Sequence, residues 1–415
     1  MIKQYINRRN VPIAVGWLVT ITVILFYKYE YFLRLAPSTM VDYYISNYGY
    51  TPKEIGFIDA AYYWSYMPAQ IAVGTVMDHY GVRRPLFLAI FSCIFGSILF
   101  GLEQSYYLVL LGRFLIGFGS AFGFVAVLKT ASVWLPKRQF ALAVGIATSL
   151  GMLGAILSLI LMTSLVNHYG VQPTIDITIA LGLSLVIAVY FMVFDRKTTS
   201  RKSHGKKRFS MVFKTFFKVI REPQMWLIGF IGIALYLPTQ MFSGLWAMPY
   251  FVHIRKLQPE VASQISSLLY WGWIVGSPIV GYLSEYVPNK RMILMTGAIL
   301  CAIMLSLIIY LPITSLGLLI PAMFLLGLFS STQILVFDIA TCIIHHTYSG
   351  TAVAITNMFV TFGGVLQSSI GGIIESRSTE TQVFTEAGFQ SAFMIMPILC
   401  ILSVFVTLVM REHKK

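Results

Sequence analysis

The densest chemistry in this sequence lies inside an apolar run. From Phe26 to Ser38 the chain reads FYKYEYFLRLAPS, with Lys28, Glu30 and Arg34 interrupting it. Glu30 and Arg34 stand four residues apart, the spacing at which two side chains share one helix face and pair. Tyr27, Tyr31 and Ser38 fall on or beside that face. A helix here carries hydrogen-bonding groups around an ion pair. The guanidinium fork of Arg34 matches a carboxylate bidentately, and a buried carboxylate such as Glu30 is the kind of residue that relays protons. The plainer alternative is an internal ion pair that only holds this helix against its neighbours. Lys28 lies off the stripe.

Further polar residues recur at helical spacing. Asp59, Tyr63, Tyr66 and Gln70 form one such set. If the chain crosses a bilayer in alternating directions, Arg34, Asp59 and Arg113 reach similar depths and could form one ion network. For Asp59, structural pairing and cavity lining are evenly matched, whereas Arg113 leans to packing. Lys129 and Asp338 would occupy matching depths of two related helices, where opposite charges could close a gate in one state and part in the other. Tyr236, Gln240, Ser243 and Trp246 surround Pro238, and Tyr270, Trp271, Trp273, Ser330, Gln333, Asn357 and Gln367 complete the inventory. The residues expected to bind solute are Tyr27, Glu30, Tyr31, Arg34, Tyr63, Tyr66, Gln70, Tyr236, Gln240, Trp246, Tyr270 and Asn357. Glu30, Asp59, Lys129 and Asp338 are the candidates for coupling or gating. Polar side chains also join membrane helices, at about 1 kcal/mol each, so roughly half of these are expected to line nothing.

Other chemistries lack their residues. No His, Asp and Ser set with nucleophile and base is legible, so no enzyme is expected. The phosphate-cradling GxxxxGK[ST] loop is absent, which excludes ATP as the energy source by that route. Cys93, Cys301, Cys342 and Cys400 fall in separate apolar runs, and His345 and His346 are adjacent and point apart on a helix. Neither a disulfide framework, a metal site nor a cofactor is expected.

The elements that must position the polar residues follow from composition. Of 415 residues, 57% are hydrophobic and 11% charged, against about 25% charged in soluble domains. Runs long enough to cross ~30 Å of hydrocarbon recur throughout. Twelve are expected, over 11–41, 54–78, 86–102, 106–134, 140–166, 174–194, 225–252, 261–285, 292–312, 316–344, 351–374 and 389–410. They are continuously apolar and too long for barrel strands, so the fold class is an all-α membrane protein. The first run follows Arg8 and Arg9 as a signal peptide would, but its length and charges read as an anchor that stays attached. Tyr106, Tyr107 and Tyr250, near run ends, are expected in the interfacial aromatic belt.

The net charge of +14 would suggest nucleic acid in a soluble protein, so the placement of the 30 Lys and Arg decides its meaning. With the N-terminus in the cytoplasm, 22 fall on the cytoplasmic side, four in the opposite loops and four within runs. By the positive-inside rule both termini are cytoplasmic, in a multi-pass protein of the cytoplasmic membrane. The basic balance is a topology signal, and no nucleic-acid partner is expected.

The chain repeats itself. Gly74, Asp78, Arg83 and Arg84 after the second run recur 207 residues later as Gly281, Glu285, Lys290 and Arg291 after the eighth. FLIG at Phe114 and FLLG at Phe324 are 210 apart, and AVGI at Ala143 and AVAI at Ala352 are 209 apart. Matches at nearly one offset indicate duplicated halves. The expected domains are 1–194, a six-helix bundle; 195–223, a basic cytoplasmic linker with an interfacial helix in its second part; and 224–415, a second six-helix bundle. A merely solvated linker is the alternative for 195–223. Parallel repeats of six helices are a transporter architecture, with the solute site near the midplane.

The motifs also resemble a family. GTVMDHYGVRR (Gly74 to Arg84) is similar to the signature between the second and third helices of the major facilitator superfamily, and GRFLIGFG (Gly112 to Gly119) resembles that superfamily's fourth-helix signature. The resemblance covers essentially the whole chain and implies twelve transmembrane helices in two pseudo-symmetric six-helix bundles. It also implies that Gly74, Asp78, Gly81, Arg83, Arg84 and Arg113, with Gly281, Glu285, Lys290 and Arg291 in the second copy, form conformational motifs. The second copy departs at Pro288, which replaces the glycine matching Gly81. In the fifth run, Gly151 and Gly154 lack the Gly-Pro pair typical of the superfamily's drug/proton antiporters, which weakens a drug-efflux reading.

The expected activity is secondary transport by alternating access of a small polar or anionic organic solute: a carboxylate, amino acid, short peptide or siderophore. Protons are the candidate coupling ion, membrane lipid is the surrounding partner, and the protein is taken as a monomer. Efflux of drugs or metabolites stands as an alternative. So does a transporter-like sensor, which the short link of about 29 residues disfavours.

Overall fold

The computed structural model describes residues 12–102, 105–195, 214–287, 289–311, 315–345, 348–379 and 382–411. Among the described residues there are helices and turns but no strand. Twelve long helices follow in order. They are α1 (Ile13–Arg34), α2 (Pro52–Tyr80), α3 (Arg83–Phe100), α4 (Tyr106–Trp134), α5 (Lys137–Tyr169) and α6 (Val171–Met192), then α7 (Pro223–Ile254), α8 (Pro259–Tyr286), α9 (Lys290–Tyr310), α10 (Leu316–Ile343), α11 (Gly350–Glu375) and α12 (Glu386–Val409).

Ten of these are long and apolar enough to cross a membrane. The other two are α2 and α8, which at 29 and 28 residues have the length but not the hydropathy. Both belong to the repeat, and both bury polar groups: Asp59, Ser65 and Gln70 in α2, and Ser263, Ser266 and Ser267 in α8. Their polarity faces protein.

The first apolar run ends earlier than its hydropathy suggests. α1 stops at Arg34, and Ala36–Thr39 forms a 3₁₀ turn. Pro37, which has no N–H and disfavours helix in the residue before it, accounts for the break. A short helix, Val41–Tyr48, follows and ends on Gly49 at φ 66°, a left-handed cap that glycine adopts without penalty.

Several long helices change register. α7 widens into π-turns over Pro238–Trp246 and Tyr250–Ile254, α5 does so over Ser158–Met162, and α10 tightens over Ser331–Ile334. In α7 the cause is local, because Pro238 supplies no N–H to the preceding turn. Neighbouring side chains serve the displaced carbonyls, as apolar surroundings demand. Tyr270 donates its hydroxyl to the carbonyl of Thr239 at 3.1 Å, and Gln367 donates Nε2 to that of Gln240 at 3.0 Å.

The chain packs as two compact units, one of Met1–Arg34, Trp64–Ala155 and Leu165–Lys214, the other of Leu35–Tyr63, Ile156–Ser164 and Thr215–Lys415. In the first, α3 and α4 meet along glycines. A Cβ at Gly96 would stand 2.6 Å from the Gly112 carbonyl oxygen, and one at Gly112 would stand 2.6 Å from the Phe100 nitrogen. Small residues permit this approach. In the second unit α8 and α10 meet similarly, with a Cβ at Gly276 only 2.9 Å from the Leu328 oxygen.

Also in the second unit, the start of α2 lies on α11. A Cβ at Gly56 would stand 2.8 Å from Ser368 Cα, and one at Gly371 would stand 2.7 Å from the Pro52 carbonyl carbon. Thr51 and Glu54 close the N-terminus of α2 reciprocally, at 2.9 and 3.3 Å, and Glu375 of α11 accepts the Lys53 amide at 3.2 Å. This is a capping box reinforced from a second helix.

Tyr250 corrects an expectation. It is fully buried among Phe242, Phe251, Phe389 and Phe393 rather than placed in an interfacial belt. Its hydroxyl donates to the carbonyl of Ile308 at 2.9 Å and accepts from Arg255 at 2.7 Å, while Arg255 also donates to the carbonyl of Leu311. Arg255 thereby caps the C-terminal carbonyls of α9. Of the basic linker, 196–213 lie outside the described residues, and 214–220, within the stretch where an interfacial helix is expected, are helical.

Candidate functional site

In the first unit, α1 brings its polar stripe together as the four-residue spacing requires. Arg34 donates Nη2 to Glu30 Oε2 at 2.9 Å and to Oε1 at 3.1 Å, and both side chains are buried. The guanidinium carbon lies 4.2 Å from the Tyr31 ring centre and 5.2 Å from that of Tyr66. Cation–π contacts of this kind contribute about 2 kcal/mol when desolvated. Tyr27 meets Tyr31 edge to face at 5.2 Å and packs on Phe124 of α4 at 5.4 Å. Breaking such a buried pair by removing one member typically costs about 3–5 kcal/mol.

Arg113 of α4 is fully buried and donates to the carbonyls of Leu33 at 2.9 Å and Arg34 at 3.1 Å. These are the last carbonyls of α1, which have no partner within the helix. Arg113 thus caps the turn that carries Arg34. Gln70 is buried and donates Nε2 to the carbonyl of Ala121 at 3.2 Å, joining α2 to α4. Asp59 is buried and belongs, with Tyr63, to the second unit.

The second unit holds a network whose members are neutral. Trp246 donates Nε1 to Gln367 Oε1 at 2.8 Å, and Gln240 donates Nε2 to the carbonyl of Thr361 at 2.9 Å. Trp273 donates to Thr239 Oγ1 at 2.7 Å and meets Tyr236 edge to face at 5.7 Å. Tyr270 joins through the Thr239 carbonyl, and Tyr63 packs against Gly364. Asn357 is half-buried and contributes its backbone carbonyl to Thr361 Oγ1 at 2.8 Å. Chemically, the first unit offers a charged site suited to an acid, and the second offers a hydrogen-bonded frame. An open crevice of about 430 Å³ lies elsewhere in the second unit, lined by Lys53, Phe57, Ser368, Ser369, Gly372, Glu375 and Ser376. None of these is a residue singled out for binding from the sequence.

The family model of the Major Facilitator Superfamily matches residues 18–368 and 247–415. The chain belongs to the Major Facilitator Superfamily. The superfamily places it among transport proteins rather than enzymes. Similar relatives include the "Uncharacterized transporter YybO" of Bacillus subtilis (strain 168), 23% identical over 289 residues, or 63% of this chain and 64% of the relative. The match therefore spans just under two thirds of that relative's length. The "Probable sulfoacetate transporter SauU" of Cupriavidus necator is 23% identical over 313 residues, 72% of this chain and 70% of the relative. A crystal structure of a point mutant of the nucleoside transporter NupG superposes with a TM-score of 0.78 at 12% identity, covering 96% of this chain and 100% of the other. That likeness establishes the superfamily's fold.

The superfamily signature between α2 and α3 now has a physical reading. Gly81 sits at φ 81°, which glycine alone adopts freely. Against it lies the carboxylate of Asp195, which accepts the amides of Val82 at 2.7 Å and Arg83 at 3.1 Å and so caps α3 from the end of α6. Arg83 donates to the carbonyl of Tyr190 at 2.9 Å and stacks near Phe87, Tyr190 and Phe194. Asp195 was legible only as the start of the linker, because a cap contributed 112 residues away leaves no local pattern.

The gate candidates already have partners inside their own units. Lys129 of α4 pairs with Asp78, and Asp338 of α10 pairs with Lys290. Each half thus ties a charge of its fourth helix to the signature motif, but with opposite sign and a different partner element, the end of α2 in the first and the start of α9 in the second. In the second copy Asn289 caps α9 by accepting the Arg291 amide at 3.1 Å, while Glu285 and the first copy's Arg84 are exposed. A Cβ at Gly74 or at Gly281 would meet nothing within 4 Å. No packing reason accounts for these two glycines.

Proposed function

We propose that this chain is a secondary active transporter of small organic solutes bearing a carboxylate or sulfonate, with Arg34 as the acid-binding residue. The observation that carries the reading is the buried Glu30–Arg34 pair walled by Tyr31 and Tyr66. Keeping an ion pair buried is costly unless its geometry is satisfied, and inside membrane helices such pairs mark solute or ion pathways. The similarity to a probable sulfoacetate transporter supports the acidic class.

In this reading a solute acid exchanges with Glu30 on Arg34, and Glu30 takes a proton when displaced, so transport is proton-coupled symport by alternating access. Asp59 and Asp338 are the other candidates for the proton. The halves 1–194 and 224–415 act as the two bundles, α2 and α8 cross the bilayer with the other ten helices, and both termini lie in the cytoplasm of a cell bounded by this membrane.

The test is uptake by purified protein in liposomes. Labelled sulfoacetate and a labelled dipeptide, offered with and without an inward proton gradient, should be taken up in an Arg34-dependent way. Uptake unchanged in R34Q would refute the acid-binding reading, and uptake indifferent to the gradient would refute proton coupling.

A further inference from the structure

Gly151 and Gly154 of α5 face α1 but do different work. A Cβ at Gly154 would run into backbone, with the carbonyl carbon of Lys28 at 3.1 Å, and would stand 3.2 Å from Tyr31 Cβ, so this glycine sets how closely the two helices approach. The three atoms nearest a Cβ at Gly151 would all belong to rings: Tyr27 Cε1 at 2.9 Å, and Tyr31 Cδ2 and Cε2 at 3.2 and 3.3 Å. From α4, a Cβ at Gly123 would stand 3.1 Å from Tyr27 Cδ2 and 3.4 Å from Glu30 Cγ. Tyr27 therefore occupies a slot cut by two glycines on different helices. Its neighbour Tyr31, edge to face at 5.2 Å, carries the Arg34 guanidinium at 4.2 Å.

We infer that Gly151 determines acid-group specificity: its missing side chain fixes the Tyr27–Tyr31 ring pair, and Tyr31 in turn fixes the aim of Arg34. This rests on the proposal that Arg34 binds the solute's acid. A methyl at Gly151 stands about 0.5 Å short of ordinary contact with Tyr27, and close-packed rings pass such displacements on to their neighbours. Phe124 of α4, whose ring centre packs 5.4 Å from that of Tyr27, bars an easy retreat on that side. The shift falls on Tyr31, which moves the face on which the guanidinium lies. Bidentate recognition is sensitive to that aim, and a tetrahedral sulfonate and a planar carboxylate present their oxygens differently. Gly151 is a positioning residue in this scheme, acting through Tyr31 on Arg34.

The test compares sulfoacetate with malonate, two probes that share a CH₂-carboxylate and differ in the second acid group. Their apparent dissociation constants are measured by thermal stabilisation of the full-length protein. G151A should change the ratio of the two constants at least fivefold, whereas G96A, whose methyl meets the Gly112 carbonyl oxygen and Ile116 instead, should lower thermal stability and leave the ratio within twofold of wild type. In a Y27L background, where the ring atom nearest the new methyl is gone and only the milder Tyr31 contacts at 3.2 and 3.3 Å remain, G151A should change the ratio less than it does in the wild-type background. G123A makes a milder contact with the same ring and serves in its place if G151A does not fold. A ratio unchanged by both glycine variants, in a protein whose binding still requires Arg34, would overturn the inference. Binding that does not need Arg34, or no binding of either probe by the wild type, would instead overturn the acid-site proposal and this inference with it.

Discussion

Exchanging the charges of Lys129 and Asp78 should restore function that each single reversal removes, and exchanging those of Lys129 and Asp338 should not. Lys129 and Asp78 are in direct contact, as are Lys290 and Asp338. Two unit charges 4 Å apart attract by about 4 kcal/mol at an effective dielectric of ~20. The side chains here are 36% and 29% exposed in the first pair and 23% and 41% in the second, so solvent screening and side-chain entropy reduce that figure strongly. Exposed pairs contribute about 0–1 kcal/mol, and residues in contact show coupling of about 0.5–3 kcal/mol. A coupling near 1 kcal/mol is the expectation for each pair, which is about fivefold in an equilibrium between conformations. The assay is a double-mutant cycle on K129D, D78K and their combination, read by thermal unfolding and by liposome uptake, with K129D, D338K and their combination run beside it. Rising salt should shrink the coupling. An additive first cycle, or rescue in the second, would refute the pairing drawn from the structure.

Three further outcomes follow. R34K keeps the charge but loses the fork, so uptake should show a KM raised about tenfold or more with the chain still folded, as judged by thermal unfolding. D195A removes the cap on the Val82 and Arg83 amides and should cost about 1 kcal/mol, a figure that a D195N variant recovers in part and that denaturant titration in detergent would measure. G56A places a methyl 2.8 Å from Ser368 Cα and should lower stability by about 1–3 kcal/mol, since the obstacle is backbone and cannot rotate away; an unchanged melting temperature would count against the tight α2–α11 contact.

Much of this molecule is written locally. Hydrophobic runs of about 20 residues dictate membrane-crossing helices wherever they occur, because an unpaired backbone group in hydrocarbon is too costly. The Glu30–Arg34 pair was legible for the same reason, since four residues of helix place two side chains on one face whatever surrounds them. The duplicated motifs gave the superfamily.

Which distant atoms meet depends instead on how the helices pack. Lys129 and Asp338 are related by the repeat, yet Asp78 and Lys290 are their partners, because a repeat predicts equivalent positions and not which neighbour lies within reach. Arg113, read from its motif as packing, caps the last carbonyls of α1, and Asp195 caps α3. Capping groups that come from 79 to 113 residues away follow no periodicity. Local pattern alone specifies a helical membrane protein with an ion pair in its first helix. Only the packing of α4 and α5 around that helix, through Gly123 and Gly151, decided how the pair is held, since an absent side chain reveals its purpose only when the atoms filling its place are known.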